Sequence, residues 1–388
     1  MPVAEIVAGL LIVALVLYDV FQTVIVPRPS TSGIGVARYV IVATWPAWRR
    51  YCESIRSADA RERRLGAYAP FMLVFLLFFW IVALIFGYAL ILFALRDQVT
   101  PPLDDLWNAV YFAGTSFLTI GFGDVTPTGL GARVASLAAG ANGLVLVALA
   151  ITFLFSLYGS FQRREVLVVT LDARAGAPPS GVQLLEKLSR LSLVGDLDAL
   201  FAAWETWSAE VLDSHLAYPL LCFFRSSHDN ESWVSALGAL LDAATLCITT
   251  VEDGSAGAAH LLVGLGSHLV EDVTRYFRMP HEHGALVDRA EFDVARERLR
   301  AAGWRLRDAE RSWADFQALR ARYAEDLNAM ARFWAVPPAQ WIGDRSAMRH
   351  ATVGGLRPPA PRQYVAQALR DRICKEVPGC SGRSFSSC

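Results

Sequence analysis

Three apolar runs, residues 4–26, 68–95 and about 131–162, constrain this chain more than any other feature of it. As a helix the first rises about 34 Å at ~1.5 Å per residue, enough to cross the hydrocarbon core of a bilayer. Pro27 and Pro29 end it. An apolar fraction of 54% with a mean hydropathy of +0.35 is high for a wholly soluble chain. The net charge of −1 singles out no partner and gives no support for nucleic-acid binding. Its distribution says more. Between residues 27 and 66, Arg28, Arg38, Arg49, Arg50, Arg56, Arg61, Arg63 and Arg64 outnumber Glu53, Asp59 and Glu62 by five. The positive-inside rule places this segment in the cytosol, and with it the N-terminus outside and the C-terminus, after three crossings, inside. Gln162-Arg163-Arg164 at the end of the third run agrees. The start of the chain lacks the basic residues and small-residue cleavage site of a signal peptide. None of the runs carries regularly spaced arginines, so a charge-based voltage sensor is not expected. Asp19 and Gln22 lie inside the first run. An intramembrane acid is a functional candidate, or it faces a water pocket between helices and pairs with an arginine.

Between the second and third runs the chain changes character. Pro101 and Pro102 open a re-entrant segment, Asp104 or Asp105 is placed to cap a short helix, and that helix is expected to end near Phe117 with its carbonyl end toward a cation. Then comes Thr119-Ile120-Gly121-Phe122-Gly123-Asp124. Glycines at alternate positions admit left-handed angles and turn successive carbonyls toward one axis. A row of carbonyls of this kind replaces a cation's water shell. Ile120 and Phe122 are expected to point backwards and pack the loop, and Asp124 at the outer mouth attracts cations. A glycine-rich turn is the plainer reading of such a hexapeptide in a soluble protein, but here apolar runs flank it. A dinucleotide fingerprint fits less well, because no third glycine follows at the required spacing.

The hexapeptide resembles the potassium channel signature Thr-Val-Gly-Tyr-Gly-Asp. Leu106 to Leu118 is similar to that family's pore helix, Asp124-Val125-Thr126-Pro127 to its outer vestibule, and Gly143 stands where many members carry an inner-helix hinge glycine. The likeness covers roughly residues 68–162. It implies potassium bound at Thr119, Ile120, Gly121 and Phe122, with Gly123 completing the filter and no further cofactor. A ring of four loops is needed to surround an ion, so one filter per chain implies a homotetramer in a lipid bilayer. Two positions depart from the pattern: Leu118 replaces a common second threonine, and Thr115 stands where some bacterial members have a buried glutamate. If Gly143 is the hinge, Val147, Ile151 and Phe155 follow on one pore-facing stripe, and a ring of Phe155 closes the pore by dewetting. The alternative is that these side chains pack on the outer helix and the filter itself gates.

The fold class expected is an all-α membrane protein: three transmembrane helices plus a re-entrant pore helix and filter loop, followed by a mainly helical cytosolic domain. Five segments follow: an N-terminal transmembrane helix (1–27), a basic cytosolic or interfacial segment (28–67), the pore domain (68–164), a helical cytosolic domain (165–336) and a largely disordered tail (337–388) holding a short helix near 362–375. In the second segment Trp45, Trp48 and Tyr51 beside Arg49 and Arg50 suit the headgroup level, and Pro46 argues against one straight helix. Val166 to Leu171 is either a strand or an extension of the inner helix. Helices are expected over 181–193, 197–215, 217–225, 231–250 and 256–277, with Trp204, Trp207, Val211, Leu237, Leu240 and Leu241 in a shared core. Gly264 and Gly266 fall mid-helix. His215, Tyr218, Arg225, His228 and Asp229 gather near helix junctions, as caps and core polar groups or as a ligand or pH-sensing site. From Phe292 to Trp334 apolar residues recur at spacings of three and four, interrupted by Arg320, which predicts a long helix packed on its own domain or a coiled-coil strand.

His281-Glu282-His283 is too short of ligands for a metal site. All six cysteines fall on cytosolic segments and are expected to be reduced. The leading expectation is a passive potassium channel regulated through its cytosolic domain by an unidentified ligand or protein partner. A weakly selective cation channel, or a membrane-anchored receptor with a non-conducting pore, are the competitors. No nucleophile, acid/base pair or phosphate loop points to an enzyme.

Overall fold

The computed structural model describes residues 2–26, 36–226, 231–252, 254, 256–280 and 287–342. His228, Asp229, His281-Glu282-His283, the helix expected near 362–375 and the last three cysteines lie outside the described residues. The remainder is helical, and three of its helices are long and apolar enough to span a membrane.

The first, α1 (Pro2–Val20), continues into one π-helical stretch, Phe21–Ile25, and packs along α4 (Tyr68–Ala94). Two glycines allow the close approach: a Cβ on Gly9 would lie 2.6 Å from the Gly87 carbonyl oxygen. Small residues at a membrane helix crossing let backbones meet and gain dispersion contacts in place of a hydrophobic driving force. Asp19 is buried in this interface, where Trp80 Nε1 donates to its Oδ2 at 2.8 Å.

Between α1 and α4 lie α2 (Val36–Glu53) and α3 (Ala58–Gly66). Contrary to the expectation from Pro46, α2 is one helix, and the proline sits on its exposed side. Trp45 does not lie at the headgroup level: it is buried, and its Nε1 donates to the Phe333 carbonyl at 2.9 Å. The aromatic and basic composition of α2 therefore serves two faces, one bonded to the end of α13 through Trp45 and Arg49 and one that is open.

After α4 the chain makes a two-residue antiparallel pairing, β1 (Val99–Thr100) with β2 (Thr126–Pro127), and between them runs α5 (Leu106–Phe117), capped by Asp105 through the Asn108 amide at 2.7 Å. Gln98 closes the outer end of the third long helix, α6 (Leu130–Ala175): its Oε1 accepts from the amides of Gly131 and Ala132, donors that a helix start leaves open.

Helix α6, at 46 residues, is far longer than a bilayer crossing requires. Val166–Leu171 is helical, not a strand, because Val168, Leu171 and Ala175 continue a buried stripe at helical spacing, and α6 ends only at Gly176 with φ 83°. Helix α9 (Trp233–Thr249) is buried on nearly every side, and α7 (Gly181–Arg190), α8 (Leu197–Ala217) and α10 (Ala256–Phe277) pack around it. The long helix expected over 292–334 is instead three helices, α11 (Arg289–Ala301), α12 (Ala309–Arg320) and α13 (Ala324–Phe333).

The first break has a local cause. Gly303 takes φ 97°, residues 305–307 pair with the end of α9 through Val251 and Leu306, and Asp308 caps α12. The apolar stripe is real, but each piece turns it into the same core, and Phe292, Phe316, Leu327 and Met330 are all buried within this chain. A coiled-coil strand is excluded by that burial. Arg320, the interruption in the stripe, is buried too. It bonds Asp242 at 2.8 Å and the Trp341 carbonyl at 2.8 Å, and Tyr323 also donates to Asp242.

Candidate functional site

The loop after α5 is shaped by where its amides go. Thr119 N donates to Ser116 O, and both Ile120 N and Gly121 N reach Thr115 O, at 2.8 and 3.3 Å, so the last carbonyls of α5 tie down the start of the loop. Thr119, Gly121 and Gly123 then take φ of 59°, 58° and 81°, while Ile120 and Phe122 between them do not. The two glycine angles are those expected. The third, at Thr119, was not legible, since a non-glycine residue in this region is uncommon; its amide bonds the Ser116 carbonyl and its hydroxyl the Leu118 carbonyl. Left-handed angles at every second residue are the backbone alternation by which successive carbonyls can be turned to one side. Among the described residues, none of the loop's backbone hydrogen bonds uses those carbonyls as acceptors.

Asp124 accepts from Tyr111 Oη at 2.8 Å, which fixes the outer end of the loop to α5. Phe122 stacks on the same tyrosine, with centroids 6.4 Å apart and planes 3° from parallel. Ile120 and Phe122 therefore leave the carbonyl side, but in the single chain both remain exposed, at 51% and 68%. Thr115 is buried, as the position behind the filter should be, and Leu118 is half exposed.

Gly143 lies against the end of α5, where a Cβ would overlap the Phe117 carbonyl oxygen. The helix runs unbroken through it. Below it α6 has two faces. Val147, Ile151 and Phe155 are exposed on one, Phe155 by 75%, whereas Phe153, Leu157, Ser160, Arg164 and Val168 are buried on the other. The buried face is held by the short turn Pro219–Phe223 and its flanks: Phe153 meets Tyr218 edge-on at 5.6 Å, and Phe161 meets Phe224 at 5.4 Å. The same turn reaches the start of α4, with Phe223 5.4 Å from Tyr68.

At the base of this grip sits Arg164, which the sequence offered only as half of a basic pair. Its guanidinium is fully enclosed. Nη1 donates to the Leu221 carbonyl at 3.0 Å and contacts His215 Nε2 at 3.0 Å; Nη2 donates to the Phe224 carbonyl and to Glu165 at 2.9 Å, and Nε to Glu165 at 3.0 Å. Arginine has no acceptor, so His215 Nε2 must accept and the ring must be neutral. Burial holds the His215 pKa well below its usual value, and the Arg164 charge adds to that. Trp207 Nε1 donates to the Arg164 carbonyl at 3.0 Å. The helical phase of residue 164, shared with Phe153, Leu157 and Val168, was the available signal. Of the polar residues expected together, His215, Tyr218 and Arg225 do border this junction, Arg225 donating to the carbonyls of Trp334 and Ala335.

Three helices of membrane-spanning length, with a half-length helix and a loop of alternating left-handed residues between the second and third, are the arrangement of a pore-loop membrane protein. Comparison with known proteins agrees: residues 74–159 match the family described as ion channel. The match supports kinship of this segment with the potassium channel superfamily, and with the three long apolar helices it makes the chain a multi-pass membrane protein. It is also 24% identical over 248 residues to the uncharacterized membrane protein YdjJ of Bacillus subtilis (strain 168), a match covering 62% of this chain and 69% of that protein. No solved structure matches it.

Proposed function

We propose that this protein is a potassium-selective channel, a homotetramer whose four filter loops surround the ions, with its N-terminus outside and its cytosolic helices gating passive flux in response to a stimulus yet to be identified. The observation that carries the reading is the alternation of left-handed angles at Thr119, Gly121 and Gly123, which leaves the carbonyls of Thr119, Ile120, Gly121 and Phe122 on one side as potassium ligands. The exposure of Ile120 and Phe122 in the single chain supports the assembly, since neighbouring copies supply the packing that a lone loop lacks. Asp124 adds a negative charge at the outer mouth. No cofactor beyond the permeant ion is called for.

The test is flux and reversal potential of the purified protein in liposomes with potassium and sodium on opposite sides. A reversal potential close to that of potassium supports the proposal. A value near zero makes the pore weakly selective, and no flux under any condition leaves a receptor with a closed scaffold. Gly121→Ala puts a side chain where φ is 58°, in open space but in a strained backbone. Potassium flux should fall by at least about tenfold, the effect of ~1.4 kcal/mol at the filter, while the oligomer stays intact on size-exclusion. A Gly121→Ala channel that conducts and selects like the parent would sink the filter assignment.

A further inference from the structure

The outward face of α4 carries a strip of stacked rings that ends, at the cytosolic side, in an arginine. Phe75 stacks on Phe79 at 6.4 Å, Phe71 on Phe75 at 6.4 Å, and Trp48 of α2 on Phe71 at 5.9 Å, with planes within 23° throughout. The strip is open: Phe71 is 54% exposed, although it belongs to a membrane-spanning helix. Its lower end is built rather than incidental. Trp48 Nε1 donates to the Arg64 carbonyl at 3.1 Å, and the Arg64 guanidinium donates back through Nη1 to Tyr51 Oη at 3.1 Å, which places the charge beside the last ring. Tyr51 meets Trp48 edge-on at 6.3 Å. Arg63 is also exposed on the last turn of α3, one turn before α4 enters the membrane.

We propose that this strip and its arginine bind one anionic phospholipid of the inner leaflet. An acyl chain lies along the Phe71, Phe75 and Phe79 rings, Trp48 and Tyr51 sit at headgroup depth, and Arg64 with Arg63 holds the phosphate. The chemistry on the page selects this occupant. The apolar strip is continuous with the surface of a helix already in contact with lipid, aromatic rings with one polar edge favour the interface, and the guanidinium fork matches a phosphate. A soluble protein partner would need no strip running the length of the bilayer leaflet. The outer side of α2 fits the same placement, since Tyr39 and Val42 are exposed there. The inference is independent of ion selectivity; its leaflet rests on the orientation proposed above, and its test does not.

The experiment is native mass spectrometry of the full-length oligomer released from vesicles of equal phosphatidylglycerol and phosphatidylcholine, comparing wild type with Arg64→Gln, Arg64→Lys and Arg300→Gln, the last an exposed arginine of α11 away from the strip. Wild type and Arg300→Gln should retain phosphatidylglycerol in preference to phosphatidylcholine. Arg64→Gln should retain about fivefold less, the attraction of roughly one basic residue, and Arg64→Lys should recover part of it. Equal retention of the two lipids by wild type, or unchanged phosphatidylglycerol on Arg64→Gln, overturns the site. So does a result in which Arg64→Gln and Phe71→Ala weaken the oligomer while lipid bound per chain stays constant, because the strip is then a contact between subunits.

Discussion

Gly121 and Gly143 both lie in the segment that matches the ion channel family, and they are glycines for different reasons. At Gly121 the backbone demands it, with φ at 58° and open space where a Cβ would go; at Gly143 the neighbour demands it, because α6 passes so close to the end of α5 that any side chain meets the Phe117 carbonyl. The likeness to channel inner helices offered Gly143 as a hinge, but the helix is straight-bonded through it, so packing alone already requires the residue. Gly143→Ala must push α6 away from the carbonyl end of α5, and the Thr115 and Ser116 carbonyls that tether the filter move with it. Overpacking of this kind costs about 1–3 kcal/mol. We expect a lowered midpoint for thermal dissociation of the detergent-solubilised oligomer together with reduced flux, and an unchanged midpoint would show that the crossing tolerates a methyl group.

Helix α6 is the element that joins the two halves, and its two faces divide the work. The open face passes through Val147, Ile151 and Phe155; the closed face is gripped from Phe153 down to Ala175. The grip depends on a neutral His215, because Arg164 fills the space on its Nε2 side and Ser214 lies at Nδ1, with Glu165 and Cys222 as the other ionisable neighbours. A histidine whose pKa is lowered on folding contributes stability in full above its unfolded value near 6.5, and loses it as the pH falls below that, since the unfolded chain binds the extra proton. Thermal unfolding followed from about pH 8 to about pH 5 should therefore show a loss that begins near pH 6.5. His215→Gln, which keeps an acceptor but cannot titrate, should flatten that slope; an equal slope in both proteins would move the acid sensitivity elsewhere. The spanning runs were legible because bilayer thickness leaves few solutions, and the left-handed angles at Gly121 and Gly123 because backbone handedness does. The Arg164 cage was not, since its partners are carbonyls of a turn distant in sequence, and carbonyls carry no residue signature. The three-way break of the 292–334 stripe escaped for a related reason: periodicity records which face is apolar, not where the chain folds back.

For the molecule as a whole the question is how the helices after α6 reach the proposed pore. Along α6 a force would pass from Arg164 to Phe155 through about two helical turns, but Tyr218, which leads into the turn Pro219–Phe223, touches α6 directly at Phe153, two residues from Phe155 on the opposite face. The same turn touches Tyr68 at the start of α4 and Trp45 of α2, so it is wedged between the inner and outer helices. A displacement of the helical domain thus acts on both helices at the height of the proposed constriction, without passing along α6. If Phe155 faces the axis of the tetramer proposed here, four exposed rings converge there, and a narrow apolar ring excludes water. Phe155→Asn should wet it and raise basal potassium flux in liposomes severalfold with selectivity retained, because the filter is untouched. Widening the wedge contact instead, by Phe153→Ala, removes a buried ring and about 3–5 kcal/mol of packing, and should uncouple the pore from the cytosolic helices without wetting Phe155. Unchanged basal flux in an intact Phe155→Asn tetramer would place the gate at the filter, where Leu118 and Thr115 already depart from the family pattern, and would leave the wedge acting on it through α5.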